Sequence, residues 1–327
     1  MTPFAYVLAP DAKGAVDASG SEGAEVIAGG TGKVDLMRLG VETPRSLVDV
    51  TALPWSGIDV TPSELRVGAL VKNTDLALHP AVRASMPVLS EALLAGASPQ
   101  LRNMASVGGN LAQRTRCSYF RDVAVAQCNK RIPGSGCAAI DGFHRMHAVL
   151  GASDRCIAAH PSDMCVALVA LDAVVHTVGP RGERAIPVAD FHVVPGDRPD
   201  LETVLGKGEL VTHVTIPLTP RAARSRYVKV RDRASYAFAL ASAAVAVDLD
   251  GRTVREARVA LGGVATKPWR CVAVEGALAG KPATRASFQA AAKVAVESAR
   301  PRKDNAFKVE LAQRVIVRAL ELATERA

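Results

Sequence analysis

Four cysteines, Cys117, Cys128, Cys137 and Cys156, fall within 40 residues in the spacing C-x10-C-x8-C-x18-C. Thiols at that density can ligate a cluster, bind zinc, pair as disulfides or remain inert. The spacing has no short C-x2–4-C pair of the kind found in zinc ribbons and fingers, and none of the tight runs of common ferredoxins. The surrounding stretch, residues 114–160, is rich in Arg, Gly and Cys and has little hydrophobic periodicity. It has little apolar material for a core of its own, so a metal or cluster would supply the missing cross-link. Its seven basic residues against three acidic ones favour thiolates and a net-anionic cluster. Spacing alone leaves iron–sulfur, zinc, disulfide and inert readings open. Cys165, inside an apolar Met-Cys-Val-Ala-Leu run, and Cys271, near Trp269, read as core thiols. His144, His147 and His160 lie in or near the segment and read as solvated or hydrogen-bonded side chains rather than ligands.

Two glycine loops offer a second kind of chemistry. Ala28-Gly-Gly-Thr-Gly-Lys-Val34 follows a β-like run and precedes a helix start. Adjacent glycines leave backbone N–H groups open to a ligand, and the helix start behind them favours an anion. The loop is not a Walker loop, because Ile27 and Val34 stand where a Gly and a Ser or Thr belong. Nor does it complete the dinucleotide fingerprint, because Asp35 stands where the last Gly belongs. The second loop, Ser106-Val-Gly-Gly-Asn110, promises further accessible N–H groups and an Asn side chain that donates and accepts. Together the loops suit a long anionic ligand.

The elements that would position these residues alternate strands and helices. Glu25–Ala28 reads as a strand, Val34–Leu39 as a helix and Ser46–Val50 as the next strand. Glu64–Gly68 is a further strand, Thr74 reads as a helix N-cap, and Val82–Leu94 is helical with a break at Pro87. After the cysteine stretch, a helix over Cys165–Leu171 and strands over Ala173–Val178 and Val211–Ile216 restore ordinary globular texture. From about Arg221 a separate unit begins, with strands over Arg226–Arg231 and Ala241–Leu249. A hairpin turn at Asp250-Gly251 leads into Arg258–Leu261, and helices over Ala286–Ser298 and Phe307–Glu325 close the chain.

Composition narrows the function. The 327 residues suggest about two domains, and 49% hydrophobic content with 26 Gly and 19 Pro excludes collagen-like and disordered classes. The most apolar stretch, Ala237–Val247, is far shorter than the roughly 20 residues of a membrane span. The net charge of +8 could serve nucleic acid, but two Trp, four Tyr and seven Phe supply few stacking surfaces, so no nucleic-acid partner is expected. Half of that excess lies in residues 114–160, where it would offset a cofactor and meet partner subunits. The opening residues carry no basic n-region and no twin-Arg pair, which predicts no export signal of the chain's own.

Six segments carry a family resemblance. They are Ile27-Ala-Gly-Gly-Thr-Gly-Lys-Val-Asp-Leu-Met37, Ala105-Ser-Val-Gly-Gly-Asn-Leu-Ala112, His160-Pro-Ser-Asp-Met-Cys-Val-Ala-Leu-Val-Ala-Leu-Asp172, Tyr227-Val-Lys-Val230, Leu261-Gly-Gly-Val-Ala-Thr-Lys-Pro268 and Asp304-Asn-Ala-Phe-Lys308. They resemble the FAD-binding subunit of the xanthine dehydrogenase/aldehyde oxidase family, essentially end to end. The cysteine insertion resembles that of the medium subunit of bacterial, periplasmic-type molybdenum aldehyde oxidoreductases, where such a loop carries a [4Fe-4S] cluster.

The resemblance implies an α+β fold of the vanillyl-alcohol-oxidase type. FAD-binding subdomains would span 1–57 and 58–218, the second carrying the insertion at 114–160, before a small α/β C-terminal domain at 219–327. It implies that Ile27, Ala28, Gly29, Gly30, Thr31, Gly32, Lys33 and Val34 wrap the FAD diphosphate. Gly32-Lys33 departs from the apolar or small polar pair usual in the family, so Lys33 either pairs with a phosphate or faces solvent, and the solvent reading is the one favoured. Ser106, Gly109 and Asn110 would hold FAD from the second loop, the Ser keeping the hydroxyl of the Thr common there. Asp163 would accept from ribityl or ribose hydroxyls, and Lys229 would lie near the flavin ring, where a positive group stabilises the reduced anion. Cys117, Cys128, Cys137 and Cys156 would ligate the cluster.

The implied activity is electron transfer in a heterotrimer. A large subunit with the molybdenum cofactor oxidises aldehyde to carboxylate, and a small subunit with two [2Fe-2S] clusters feeds FAD, which reduces an external acceptor. The complex would reach the periplasm by co-export with a signal-bearing partner, or otherwise stay in the cytoplasm. No catalytic residue is expected in this chain. Rival readings are a medium subunit of an aromatic acyl-CoA reductase or xanthine dehydrogenase, and a metal-stapled binding protein without flavin.

Overall fold

The computed structural model describes residues 1–325. Three sheets organise the chain. The first is parallel: β1 (Ala5–Leu8), β2 (Ala24–Ile27) and β3 (Ser46–Asp49) pair in the order β1-β3-β2. Helices Ala12–Ser19 and Lys33–Arg38 make the crossovers that parallel strands require. Asp11 caps the first of these helices, its carboxylate accepting from Gly14 N at 2.7 Å.

The second sheet is antiparallel. It runs β4 (Ile58–Val60), β5 (Glu64–Gly68), β8 (Leu210–Pro217), β6 (Val174–Gly179), β7 (Gly182–Pro187) in that spatial order. Strand β8 returns from far along the chain to pair with both β5 and β6, so everything between residues 69 and 173 is held as one long excursion from the sheet. The helix Asp163–Ala170 is buried at every position and packs on helix Pro87–Ala95, which explains an apolar run with no polar face. Helix Pro80–Ser85 ends where Pro87 opens the next, because a proline suits a first helical turn and not an interior.

The third sheet is antiparallel, in the order β12 (Trp269–Arg270), β11 (Thr253–Gly262), β10 (Ala241–Asp250), β9 (Ser225–Val230). The β10–β11 hairpin turns at Gly251, whose φ of +57° is the left-handed conformation that such a turn demands. Helix Phe307–Thr324 lays Ala312, Val315, Ile316, Ala319, Leu320 and Ala323, at the i, i+3, i+4 spacing of one face, over β9 and β10. Asp172 staples this unit to the rest. Its carboxylate accepts from Arg221 at 2.7 Å, Arg258 at 2.8 Å and Arg270 at 2.7 Å.

Local expectations fail at one helix start. Helix Asn73–Leu78 begins one residue before Thr74 and has no side-chain cap; the Thr74 hydroxyl instead donates to Asn103 Oδ1 at 2.6 Å.

Candidate functional site

The three sheets surround a cavity of about 1360 Å³, above the roughly 300–1,000 Å³ of common small-ligand pockets. Its walls include the first glycine loop, Ser106 and Asn110 of the second, Asp163, Lys229 and the 232–238 loop. Ala97 and Tyr236, two of the three non-glycine residues with positive φ among the described residues, also line it. Such backbone strain persists only where the surroundings impose it, and it concentrates at binding sites.

The first loop connects β2 to helix Lys33–Arg38. The N–H groups of Gly29, Gly30, Thr31 and Gly32 have no acceptor among the described residues. Gly30 adopts φ +69°. A Cβ on Gly29 would stand 1.9 Å from the carbonyl oxygen of Met104, so glycine there lets the first loop close onto the segment that leads into the second.

The second loop differs from expectation. It forms a short helix, Val107–Leu111, and its amides are already used: Val107 N donates to Val71 O, Gly108 N to Ala69 O and Asn110 N to Ser106 O. Ser106 is buried and its hydroxyl accepts from Gly109 N at 3.3 Å. The loop therefore presents side chains rather than free N–H groups. Asn110 lines the cavity, and its Oδ1 accepts from Gln113 and from the Ser162 hydroxyl, each at 2.6 Å.

Lys33 also departs from expectation. It does not face solvent: its ammonium sits 2.6 Å from both Glu25 and Glu42. Two carboxylates on flanking segments hold the side chain where a lone lysine would have stretched into water.

Asp163 opens helix Asp163–Ala170, with Ser162 as N-cap. One of its oxygens accepts from the buried Tyr227 hydroxyl and the other from Lys229 Nζ at 2.7 Å, while Lys229 also donates to Ala95 O at 3.1 Å. Burial, then the Asp163 charge, pushes the Tyr227 pKa well up, so its phenol stays protonated and donates. Residues 66 positions apart meet because helix Pro87–Ala95 packs on both β9 and this helix.

The cysteine insertion folds beside the same cavity. Cys128 and Cys137 pair as an isolated antiparallel bridge, as do Ser153 and Cys156. Asn129 braces the bridge, its Oδ1 accepting from Gly134 N at 3.0 Å and Gly136 N at 2.9 Å while Nδ2 donates to Arg155 O at 2.9 Å. All six cysteines are free thiols. The Cys156 S–H donates to Cys137, which lowers the Cys137 pKa and raises that of Cys156. Burial pushes Cys117 up to about 11. No three of the four sulfurs lie within 4.8 Å of one another.

Cys165 and Cys271 are buried thiols, each pushed up to about 12 by burial. The three histidines are buried and hydrogen-bonded. His144 Nδ1 faces Gly142 O at 2.7 Å and its Nε2 accepts from Asp304 N at 3.1 Å. His147 Nε2 lies 3.1 Å from Cys117 Sγ, and burial holds its pKa down at about 4. His160 accepts from Ser162 N at 3.3 Å and packs edge-on against His192 beside Cys165.

The family model described as the FAD binding domain in molybdopterin dehydrogenase matches residues 2–219, and the CO dehydrogenase flavoprotein C-terminal domain matches 226–323. The chain belongs to the FAD-binding medium subunits of the molybdenum hydroxylase family. This flavoprotein subunit is 52% identical to the aldehyde oxidoreductase FAD-binding subunit PaoB of Escherichia coli K12, over 97% of this chain and 96% of that protein. It is 28% identical to the carbon monoxide dehydrogenase medium chain of Hydrogenophaga pseudoflava, over 93% and 90% of the two chains. Its fold matches a solved structure of the carbon monoxide dehydrogenase from that organism with a TM-score of 0.78 at 27% identity, each chain covered in full. The cavity thus belongs to an FAD-binding domain, and the unsatisfied amides of Gly29–Gly32 at its wall suit the anionic half of that cofactor.

Sequence reasoning missed several residues of the site. Arg114, Arg116 and Arg121 count in the sequence only toward the charge of the insertion, Tyr227 only within a strand and a family segment, and Glu42 and Glu202 carry no local signal. Arg114 Nε donates to Glu202 at 2.8 Å across 88 positions, a pairing no local signal encodes. No helix among the described residues is long and apolar enough to cross a membrane.

Proposed function

We propose that this chain is the electron-transfer subunit of a molybdenum aldehyde oxidoreductase, holding FAD in its cavity and a [4Fe-4S] cluster on Cys117, Cys128, Cys137 and Cys156. The observation that carries the reading is the placement of four free thiols on an insertion that itself lines the cavity through Arg114, Arg116 and Arg121. On a single tetrahedral zinc with Zn–S near 2.3 Å, four thiolates stand about 3.8 Å apart. No three of these sulfurs lie within 4.8 Å of one another, which favours an occupant of several irons over a single zinc.

When bound, FAD takes up electrons singly or in pairs and so joins one-electron clusters to an external acceptor. The chain's own work is to hold and tune. The Gly29, Gly30, Thr31 and Gly32 amides bind the diphosphate, with Ile27, Ala28, Lys33 and Val34 framing the loop. Ser106, Gly109 and Asn110 bound the cofactor from the second loop. Asp163 fixes the Lys229 ammonium at the cavity wall, where a positive charge favours a reduced, anionic ring. His147 Nε2 stands against the Cys117 sulfur, and hydrogen bonds to ligating sulfurs set cluster potentials.

Substrate oxidation belongs to a large molybdenum-cofactor subunit, with a small [2Fe-2S] subunit between the two in a heterotrimer. The identity to an aldehyde oxidoreductase subunit supports aldehydes as the substrate class, and that complex would enter the periplasm on a partner's signal. Turnover of the co-purified complex on aldehydes, with flavin bleaching in this chain, is the expected result. Turnover of acyl-CoA thioesters or xanthine in place of aldehydes would overturn the substrate class.

A further inference from the structure

We propose that Arg116, carried by the cysteine insertion, is the counter-charge for the diphosphate of the bound dinucleotide, so that the insertion completes the flavin site. The inference deepens the reading of the cavity as the FAD site and rests on it.

Arg116 lines the cavity, and a Cβ placed on Gly32 of the first loop would stand 3.5 Å from its Nη2. Its one hydrogen bond runs from Nη1 to the Arg114 carbonyl at 2.7 Å, and it has no ion-pair partner among the described residues. Four cations around it are each matched. Lys33 holds Glu25 and Glu42, Arg114 holds Glu42 and Glu202, Arg121 holds Asp35, and Lys130 lies beside Glu202. These pairs consume the local carboxylates and leave the Arg116 guanidinium as the charge without a counter-ion. A part-buried, unpaired guanidinium is unfavourable until an anion reaches it. The planar fork of N–H donors matches a phosphate oxygen pair, and the open amides of Gly29–Gly32 line the same cavity beside it. The residue after Arg116 is Cys117, so the backbone that orients this guanidinium also carries the first cysteine of the insertion.

The test is FAD binding by the purified complex stripped of flavin, followed by quenching of flavin fluorescence at low and high salt. Losing a charge-assisted hydrogen bond predicts that R116Q raises the FAD dissociation constant about 10- to 100-fold. R116K, which keeps the charge and loses the fork, is expected to recover part of the loss, and the gap between R116Q and wild type to narrow as salt rises. A second measurement needs no variant: phenylglyoxal modification of the flavin-free wild type, mapped by mass spectrometry, should mark Arg116, with protection by ADP and none by adenosine. R116Q binding FAD as wild type does, R116K as weak as R116Q at every salt concentration, or an Arg116 that is unreactive or indifferent to ADP would each overturn the proposal. A wild type that takes up no FAD would instead overturn the cavity's assignment to the flavin.

Discussion

Asp163→Asn is the perturbation that most sharply tests how the cavity wall is held. Lys229 and Asp163 form an ion pair with 4% and 9% of their side chains exposed, at an N–O distance of 2.7 Å. The substitution keeps the size of the side chain but leaves the Lys229 ammonium with neutral carbonyl acceptors, Ala95 O among them, and no counter-charge. Removing one partner of a buried pair costs about 3–5 kcal/mol, because the remaining charge stays desolvated. Lys229→Met should cost less, since the Asp163 carboxylate keeps the Tyr227 hydroxyl and the first turn of a helix, whose dipole favours an anion. The double variant, with neither charge, should lie near Lys229→Met rather than at the sum of the two losses. At about 2–4 °C per kcal/mol for a domain of this size, Asp163→Asn should lower the melting temperature of the flavin-free chain by about 6–20 °C. Thermal denaturation of the four proteins in the cycle measures this. A single variant that melts with the wild type, or a double variant that loses the full sum, would refute the reasoning.

Two further outcomes are expected. Gly29→Ala forces a methyl into the Met104 carbonyl, so the two loops must separate; the variant should be purified with most of its flavin missing, measured as the flavin-to-protein absorbance ratio. Lys308, fully buried and donating to Gly263 O at 2.8 Å, is depressed by burial to about 7 from its usual 10.5. The unfolded chain therefore binds more protons between those values, and stability should rise with pH across that window by up to about 1.4 kcal/mol per unit. Below about pH 7 the folded lysine is charged as well and the slope vanishes. Urea unfolding across pH 6–10 should show this slope in the wild type, and Lys308→Met should flatten it.

What the sequence made legible was local. The β2–loop–helix–β3 unit, the Gly251 turn and the break at Pro87 each follow from residues within a few positions of one another, and each stands within a residue or two of its expected place; the strand after the turn starts at Thr253, five residues before the expected Arg258. The two core thiols followed from the apolar runs around them. The contacts that make the site came from topology instead. Strand β9 brings Lys229 and Tyr227 to Asp163, and the insertion folds back to set Arg114 against Glu202 and Glu42. Side chains that far apart leave no periodic trace. Lys33 illustrates the limit: its partners Glu25 and Glu42 lie on the strand before its helix and in the loop after it, and nothing in the spacing required them to converge. The second loop shows the converse error, where a glycine pair that suggests open amides serves a helical turn whose N–H groups feed Ala69 and Val71.

The central claim is that the insertion holds an iron–sulfur cluster beside a flavin. Iron, acid-labile sulfide and FAD measured per complex, for wild type and Cys137→Ser prepared anaerobically, test it most directly. The account predicts that Cys137→Ser loses about four irons and about four sulfides relative to wild type, as a cluster ligated at this position requires, while partner clusters remain. Equal iron and sulfide in the two proteins, or a wild-type complex without FAD, would contradict it.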